Sequence, residues 1–317
     1  MDGNFLSKKH ILFFLFFCLL TGELLAREFA AGRSGHSQVA DEQSRIRVQV
    51  ELVNVLATVT DKKNRLVTDL TPDDFRVFED GKPQKISSFS RETDLPLRIG
   101  LLIDTSNSVR SRLHFEQEAA IDFLNAVLRP DKDLAFVVAF DVDHEVAQDY
   151  TDDIEKISMA ISRLKAGGVT SLFDAVYFSC QEKLSSFAPP EGYVRRVMIV
   201  LSDGQDNRSV HTEEEALSIA QHAEVTVFTI STSRGEGGKG DKVLARLANA
   251  TGGRAFFEAE DLDENFEEIA HELRSQHSLA YVSTNRAHDG TFRWITIQPV
   301  RKNLLVRARP GYFAPSP

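Results

Sequence analysis

Cysteine and positive charge are both scarce in this sequence of 317 residues. It contains two Cys, and its 37 Lys and Arg residues face 47 Asp and Glu residues, which gives a formal net charge of −10. A nucleic-acid groove needs a clustered cationic face, so we expect no nucleic-acid partner. Hydrophobic residues make up 42% and charged residues 26%, the composition of a globular protein rather than a disordered or fibrous one.

Long hydrophobic runs are missing apart from Ile11–Leu20, which is too short to span a bilayer. Two lysines precede this run and small and polar residues follow it, the order typical of a secretory signal peptide. We predict a signal peptide over residues 1–26, cleaved near Ala26, and a secreted or periplasmic protein, with the cell surface as a further location. An uncleaved signal anchor is the alternative, and only then would the chain contact a membrane. Cleavage leaves Cys180 alone, as a core residue without a disulfide partner.

The two ends of the mature chain show the apolar–polar alternation that is typical of β-strands. After a flexible leader at residues 27–45, alternation runs through a β module at residues 46–95, where Asp80-Gly81 predicts a hairpin. It returns in residues 276–317, where we expect Trp294 in the core because it alternates with apolar residues. Either set alone is too small for a well-buried sandwich. We therefore predict that the N- and C-terminal segments form one β-sandwich together.

The middle of the chain, residues 96–275, has short continuous apolar runs separated by helical periods. The four runs are Leu97–Ile103, Leu134–Phe140, Val197–Leu201 and Val225–Ile230. Strands buried on both faces and joined by helices predict a doubly wound, mainly parallel α/β sheet. The predicted fold class is therefore α/β, with this domain inserted into the flanking β-sandwich.

Oxygen-bearing side chains follow these runs, at the sheet edge where doubly wound folds bind ligands. Asp104, Ser106 and Ser108 follow the first run, Asp203 follows the third, and Thr170 lies in a Gly-rich loop. Two carboxylates and three hydroxyls are hard donors that suit Mg²⁺, Mn²⁺ or Ca²⁺ better than zinc. We predict a site for a divalent cation, with Mg²⁺ as the expected ion.

The order and spacing of these five residues resemble the metal-ion-dependent adhesion site of the von Willebrand factor type A family. The resemblance covers about residues 96–275, and the flanking segments 58–81 and 306–312 are similar to exported bacterial proteins of the "VWFA-related" group. It implies a Rossmann-like domain in which the three hydroxyls coordinate the ion directly. The two carboxylates would bind directly or through water.

A site of mainly neutral hydroxyls leaves the cation under-neutralised, so an Asp or Glu side chain of a partner can complete its shell. No general base or nucleophile is placed for turnover, and the sequence has no Walker loop, G-x-S-x-G or H-E-x-x-H motif. The segment from Gly235 to Gly240 satisfies G-x-G-x-x-G but is interpreted as a loop. We expect a non-enzymatic, metal-dependent protein-binding module with no small-molecule cofactor.

Two alternatives stay open. Asp141 and Asp143 resemble the nucleophile motif of haloacid-dehalogenase phosphatases, with Asp203 and Asp206 as Mg²⁺ ligands, although a hairpin turn also explains the first pair. The second alternative is a structural scaffold with a degenerate metal site. For Asp206 and Asn207 we predict a plain turn.

Overall fold

The structure, a computed structural model, describes residues 52–91, 95–185, 193–233, 237–257 and 261–316. The predicted signal peptide, the leader and the first residues of the β module, 46–51, lie outside these ranges. Within the described ranges, no helix has the length and apolar character needed to cross a membrane.

The described residues form fourteen strands and six α-helices. The strands are β1 (Leu52–Asp61), β2 (Phe75–Glu79), β3 (Lys82–Gln84), β4 (Ile86–Arg91), β5 (Leu97–Asp104), β6 (Leu134–Phe140), β7 (His144–Thr151), β8 (Arg195–Ser202), β9 (Val225–Ser231), β10 (Ala255–Phe256), β11 (His277–Val282), β12 (Phe292–Pro299), β13 (Leu304–Ala308) and β14 (Gly311–Phe313). The helices are α1 (Leu113–Val127), α2 (Ile154–Ser162), α3 (Leu172–Phe178), α4 (Glu213–His222), α5 (Lys239–Asn249) and α6 (Leu262–Leu273). One π-helical turn, Ser179–Leu184, extends α3.

A six-stranded sheet of order β10-β9-β8-β5-β6-β7 forms the centre of the α/β unit. All its pairs are parallel except β6 with β7. Every residue of β5 is buried, because helices cover both sheet faces: α1, α2 and α6 on one, α3, α4 and α5 on the other. Cys180 packs in the second of these cores, as predicted. The mainly parallel α/β sheet is therefore confirmed.

Two antiparallel four-stranded sheets accompany it, with orders β13-β1-β11-β4 and β14-β12-β2-β3. Each sheet contains strands from before and after the α/β unit. Their facing sides share one apolar core, to which Val55, Val77, Leu279 and Ile295 belong. The fold class, an α/β sheet together with antiparallel sheets, is thus confirmed, whereas the proposed domain boundaries stay a prediction.

The Asp80-Gly81 hairpin joins β2 to β3, with Glu79 opposite Lys82. Both turn residues have positive φ, 48° for Asp80 and 76° for Gly81, as a two-residue type I′ turn requires. The alternation predicted Lys85–Phe89 as the second strand of this hairpin, but the partner of β2 is β3. After β3 the chain crosses to the other sheet, where β4 pairs with β11.

The prediction that Trp294 lies in the core is wrong, because its side chain is 62% exposed. Its neighbour Arg293 occupies the inward position at 1% exposure. The Arg293 guanidinium donates to the carbonyls of Asn285 and Ala287 and to the Tyr312 hydroxyl. Ile295 and Ile297 lie on the same face of β12 as Arg293 and pack in the sandwich core, so Trp294 lies on the opposite face.

Buried Arg293 should be essential to the sandwich. We expect Arg293→Met to lower the free energy of unfolding by about 3–5 kcal/mol, since the acceptors of the guanidinium lose their donor. Urea unfolding followed by Trp294 fluorescence measures this, because Trp294 is the single Trp of the chain. The matched control, Arg76→Met on the exposed face of β2, should change the value by less than about 0.5 kcal/mol. Equal effects of the two changes would contradict the assignment.

The domain boundaries can be tested by excision. Glu272 of α6 accepts from Thr58 of β1 and pairs with Arg307 of β13, and the His222 ring of α4 stacks on Phe313 of β14. The α/β unit nevertheless has its own apolar cores on both faces of its sheet, which excision leaves in place. We expect residues 94–276 to fold alone, with cooperative thermal unfolding by circular dichroism. We also expect deletion of residues 276–317 to disrupt the sandwich. A fragment that fails to fold, together with a tolerated end deletion, would show that the insertion prediction is wrong.

Candidate metal site

Three of the predicted ligands lie at the end of β5 and in the turn that follows it. Asp104 is fully buried, and its Oδ1 accepts the backbone N–H of Ser106 at 2.8 Å. The hydroxyls of Ser106 and Ser108 are 2.8 Å apart and hydrogen-bonded. Ser106 is buried whereas Ser108 is exposed, so the turn places oxygen donors from the protein interior to its surface.

The Gly-rich loop that carries Thr170 is attached to this turn by backbone hydrogen bonds. Gly167 N–H donates to the Thr105 carbonyl at 2.7 Å, and Asn107 N–H donates to the Gly168 carbonyl at 3.2 Å. Gly168 has a φ of 73°, a conformation that favours glycine. The loop therefore lies against the first turn, with Thr170 buried.

Asp203 directly follows Ser202, the last residue of β8, and Ser202 connects this segment to Asp104. The Ser202 hydroxyl donates to Asp104 Oδ2 at 2.7 Å, and Asp203 follows it, also buried. The next residue, Gly204, packs against the start of α5, where a Cβ on Gly240 would lie 1.9 Å from the Asp203 carbonyl oxygen. Gly240 is thus needed for close backbone approach, while the first two residues of the G-x-G-x-x-G segment, 235 and 236, lie outside the described ranges.

The residues after Asp203 do more than form the plain turn that we predicted. Asn207 donates its N–H to the Thr170 carbonyl and accepts the Thr170 N–H at its Oδ1, both at 3.1 Å. Asp206 Oδ2 accepts the N–H of Phe173 at the start of α3 at 3.1 Å. These two side chains join the Asp203 segment to the Thr170 segment. The sequence did not indicate that Asp206 and Asn207 join these segments, since Asp and Asn are common in ordinary turns.

Asp141 and Asp143 lie in the tight connection between the antiparallel strands β6 and β7. Asp141 N–H donates to the Asp143 carbonyl at 2.9 Å. The hairpin-turn interpretation of this pair is therefore confirmed.

Sequence reasoning missed Glu116, a fully buried residue of α1. Neither carboxylate oxygen of Glu116 has a hydrogen-bond partner within the described part of the chain. Burial raises the pKa of Glu116 to about 8, and the negative charge of Asp104 adds to the shift. Glu in an amphipathic helix normally indicates a solvated face, so the sequence contained no sign of this position.

The donor set suits a hard divalent cation. Burial raises the pKa of Asp104 to about 6 despite hydrogen bonds from Ser202 and Ser106, and the charge of Asp203 adds to this shift. Two buried carboxylates beside hydroxyls, with the unpartnered Glu116 nearby, make a region where added positive charge is favourable. The described residues contain no group of three or more His, Cys, Asp or Glu side chains that could hold a metal, so the hydroxyls would have to supply most ligands.

Comparison with known proteins identifies one family. The family model for the von Willebrand factor type A domain matches residues 99–272, more than half of the chain. No curated protein matches the sequence.

Several solved structures resemble the chain at low identity. The conserved hypothetical protein BatB from Bacteroides thetaiotaomicron is 18% identical over 56% of this chain and 100% of its own, with a TM-score of 0.46. Proximal thread matrix protein 1 from the mussel byssus, with a zinc-occupied metal-ion-dependent adhesion site (MIDAS) motif, is 18% identical over 62% of this chain and 49% of its own, with a TM-score of 0.48. A von Willebrand factor type A protein from Catenulispora acidiphila is 14% identical over 77% and 74%, with a TM-score of 0.47. The family assignment rests on the sequence match, not on these likenesses.

Glu116 should make the metal-free protein less stable as pH rises. The folded protein holds this proton up to about pH 8, whereas the unfolded chain releases it near the ordinary value of 4.5, so the free energy of unfolding falls between these pH values. We expect Glu116→Gln to remove roughly 2–4 kcal/mol of this pH-dependent loss in chelator-treated protein.

Urea unfolding at pH 5 and pH 8.5 measures the effect. Glu118→Gln, on the exposed side of the same helix, is the matched control and should leave the pH profile unchanged. Identical profiles for wild type and Glu116→Gln would show that Glu116 is already ionised in the folded protein, contrary to this prediction.

Proposed function

Because the chain belongs to the von Willebrand factor type A domain family, we propose that it is an exported, metal-dependent binding protein. In this proposal its α/β domain docks an acidic group of a protein partner on a divalent cation. The observation that carries the proposal is the meeting of three segments at the carboxyl end of the central sheet. The Ser202–Asp104 hydrogen bond joins two of them, and backbone hydrogen bonds attach the Thr170 loop. Domains of this family often mediate metal-dependent protein interactions, which supports the assignment.

We assign the ligand roles to the five residues predicted from the sequence. Ser106, Ser108 and Thr170 offer neutral oxygens, and Asp104 and Asp203 offer the two negative charges. When bound, the cation supplies positive charge that two carboxylates do not fully neutralise, so a carboxylate of the partner is attracted to it. Mg²⁺ fits this donor set best, with Mn²⁺ and Ca²⁺ as the other hard ions.

The surroundings of the ligands favour a rigid docking site. Asp104 is held at both carboxylate oxygens, by Ser106 and by Ser202. Asn207 and Asp206 hold the segment that carries Thr170. Side chains fixed in this way lose little further conformational freedom when a partner binds, which strengthens binding.

Binding rather than catalysis is the activity that we propose. Asp141 and Asp143 belong to a hairpin turn, and no described hydroxyl near the ligands is paired with a histidine or lysine that could activate it.

The net charge of −10 also affects how an acidic partner approaches the protein. An acidic partner approaches a surface of like charge, so local attraction at the cation has to dominate.

Export of the protein is part of the same proposal and rests on the N-terminal segment. The basic residues, the apolar run and the small residues near Ala26 occur in the order of a signal peptide. We propose a secreted or periplasmic location after cleavage.

Calorimetric titration with Mg²⁺ tests the metal site. We expect the wild-type protein to bind the ion, and Ser108→Ala and Asp104→Ala to weaken binding by more than about tenfold. Ser108 is exposed, so its variant should keep the fold even if Asp104→Ala does not. Asp143→Asn, in the nearby hairpin turn, is the control and should bind as wild type does. Wild-type protein that binds no Mg²⁺, Mn²⁺ or Ca²⁺ would leave only the scaffold alternative.

A further inference from the structure

Two exposed valines form an apolar ridge directly beside the proposed metal ligands. Val142 lies at the tip of the β6–β7 hairpin and is 49% exposed, and Val169 precedes Thr170 and is 44% exposed. A Cβ on Gly168 would lie 2.8 Å from a Val142 methyl group, so Val142 packs against the backbone of the Thr170 loop. We call Val142, Gly168 and Val169 the apolar ridge. Exposed aliphatic side chains grouped around a polar site are typical of interaction surfaces.

A groove of about 570 Å³ opens next to this ridge, between the β6–β7 hairpin and α2. Its wall includes Thr105, which lies between the ligands Asp104 and Ser106 in the chain, so the groove begins at the metal-binding turn. Met159 of α2 also lines it and is 52% exposed. The groove has room for several side chains of an extended segment.

The charges along the groove are divided between its two walls. Asp143 and Glu145 stand on the hairpin side, and Arg163 and Lys165 stand on the other. Lys165 is two residues before Gly167, whose N–H donates to the Thr105 carbonyl, so the basic wall also reaches the metal-binding turn. Exposed basic side chains at this place attract a second acidic residue of a docked segment.

We propose that the partner presents an extended acidic–aliphatic segment to this surface. Its docked carboxylate lies at the cation, and an aliphatic side chain next to it packs on the apolar ridge. The following residues lie in the groove, where Arg163 and Lys165 select a further Asp or Glu. This inference rests on the proposed function, and it adds the chemistry of the residues that flank the docked carboxylate.

We expect a partner carboxylate on its own to bind weakly at this surface. The protein carries a net charge of −10, and Asp141 and Asp143 lie at the site, so a lone acid meets repulsion from its surroundings. Burial of an aliphatic side chain against Val142 and Val169 adds attraction that does not depend on charge. Specificity then comes from the combination of the cation, the ridge and the basic wall.

Selection from a displayed peptide library tests the inference. Random heptapeptides with a fixed central Asp are selected on the full chain in Mg²⁺, with elution by chelator. We expect Leu, Ile, Val or Met to be enriched beside the fixed Asp, and a second acidic residue nearby. Removal of the ridge by Val142→Ser with Val169→Ser should abolish the aliphatic preference and weaken a selected peptide by about tenfold.

Two controls separate the possible results. Leu305→Ser, at a residue of β13 that is 62% exposed, should leave the selected peptides unchanged. Arg163→Glu with Lys165→Glu should abolish only the preference for the second acidic residue. Peptides that bind in Mg²⁺ and need the central Asp, but show no aliphatic preference or ignore the ridge variant, would overturn this inference while the proposed function stands. A library without any Mg²⁺-dependent binder would overturn both.

Discussion

The parallel pairing of β5 with β8 is the constraint on which the candidate site depends. Ile103 lies opposite Leu201 in this pair, so the next residues, Asp104 and Ser202, end their strands side by side. The Ser202 hydroxyl can then reach Asp104 Oδ2 at 2.7 Å, and Asp203 is carried to the same place. A shift of one residue in either strand would turn these side chains to the opposite face, because side chains alternate along a strand. Both strands are apolar and buried on both faces, so burial alone does not select this register. The hydrogen bond between Ser202 and Asp104 is a contact that depends on it.

Electrostatic strain at the end of the sheet follows from this arrangement. Asp104 and Glu116 are fully buried, and burial raises the pKa of each, to about 6 and about 8. Buried acids whose negative charge is only partly compensated favour the protonated form or a bound cation. The same physical reason therefore lowers stability as pH rises in the metal-free protein and makes the place suitable for a divalent ion. In the proposed function, stability and metal binding are therefore coupled through Asp104 and Glu116.

The sandwich shows how a buried polar group can decide the orientation of a strand. Glu79 is buried and accepts from the hydroxyls of Tyr281, Ser283 and Tyr312, and Arg293 packs in the same region. This network sends Arg293 inward and Trp294 outward along β12. Hydropathy ranks the two residues the other way, because it scores side chains singly and not as hydrogen-bonded groups.

The sequence by itself determined the parallel α/β sheet, the alternating end strands, the Asp80-Gly81 hairpin and the residue types of the five proposed ligands. These features depend on local periodicity or on residues that directly follow a strand, which a linear pattern records. Only the tertiary structure decided that Glu116 lies buried near the candidate site with no hydrogen-bond partner among the described residues. It also decided that Asn207 and Asp206 hold the Thr170 segment and that Gly240 touches Asp203. In the sandwich, it placed Arg293 rather than Trp294 in the core. Each of these depends on a contact between segments far apart in the chain, and the identity of a residue does not reveal which distant atoms surround it.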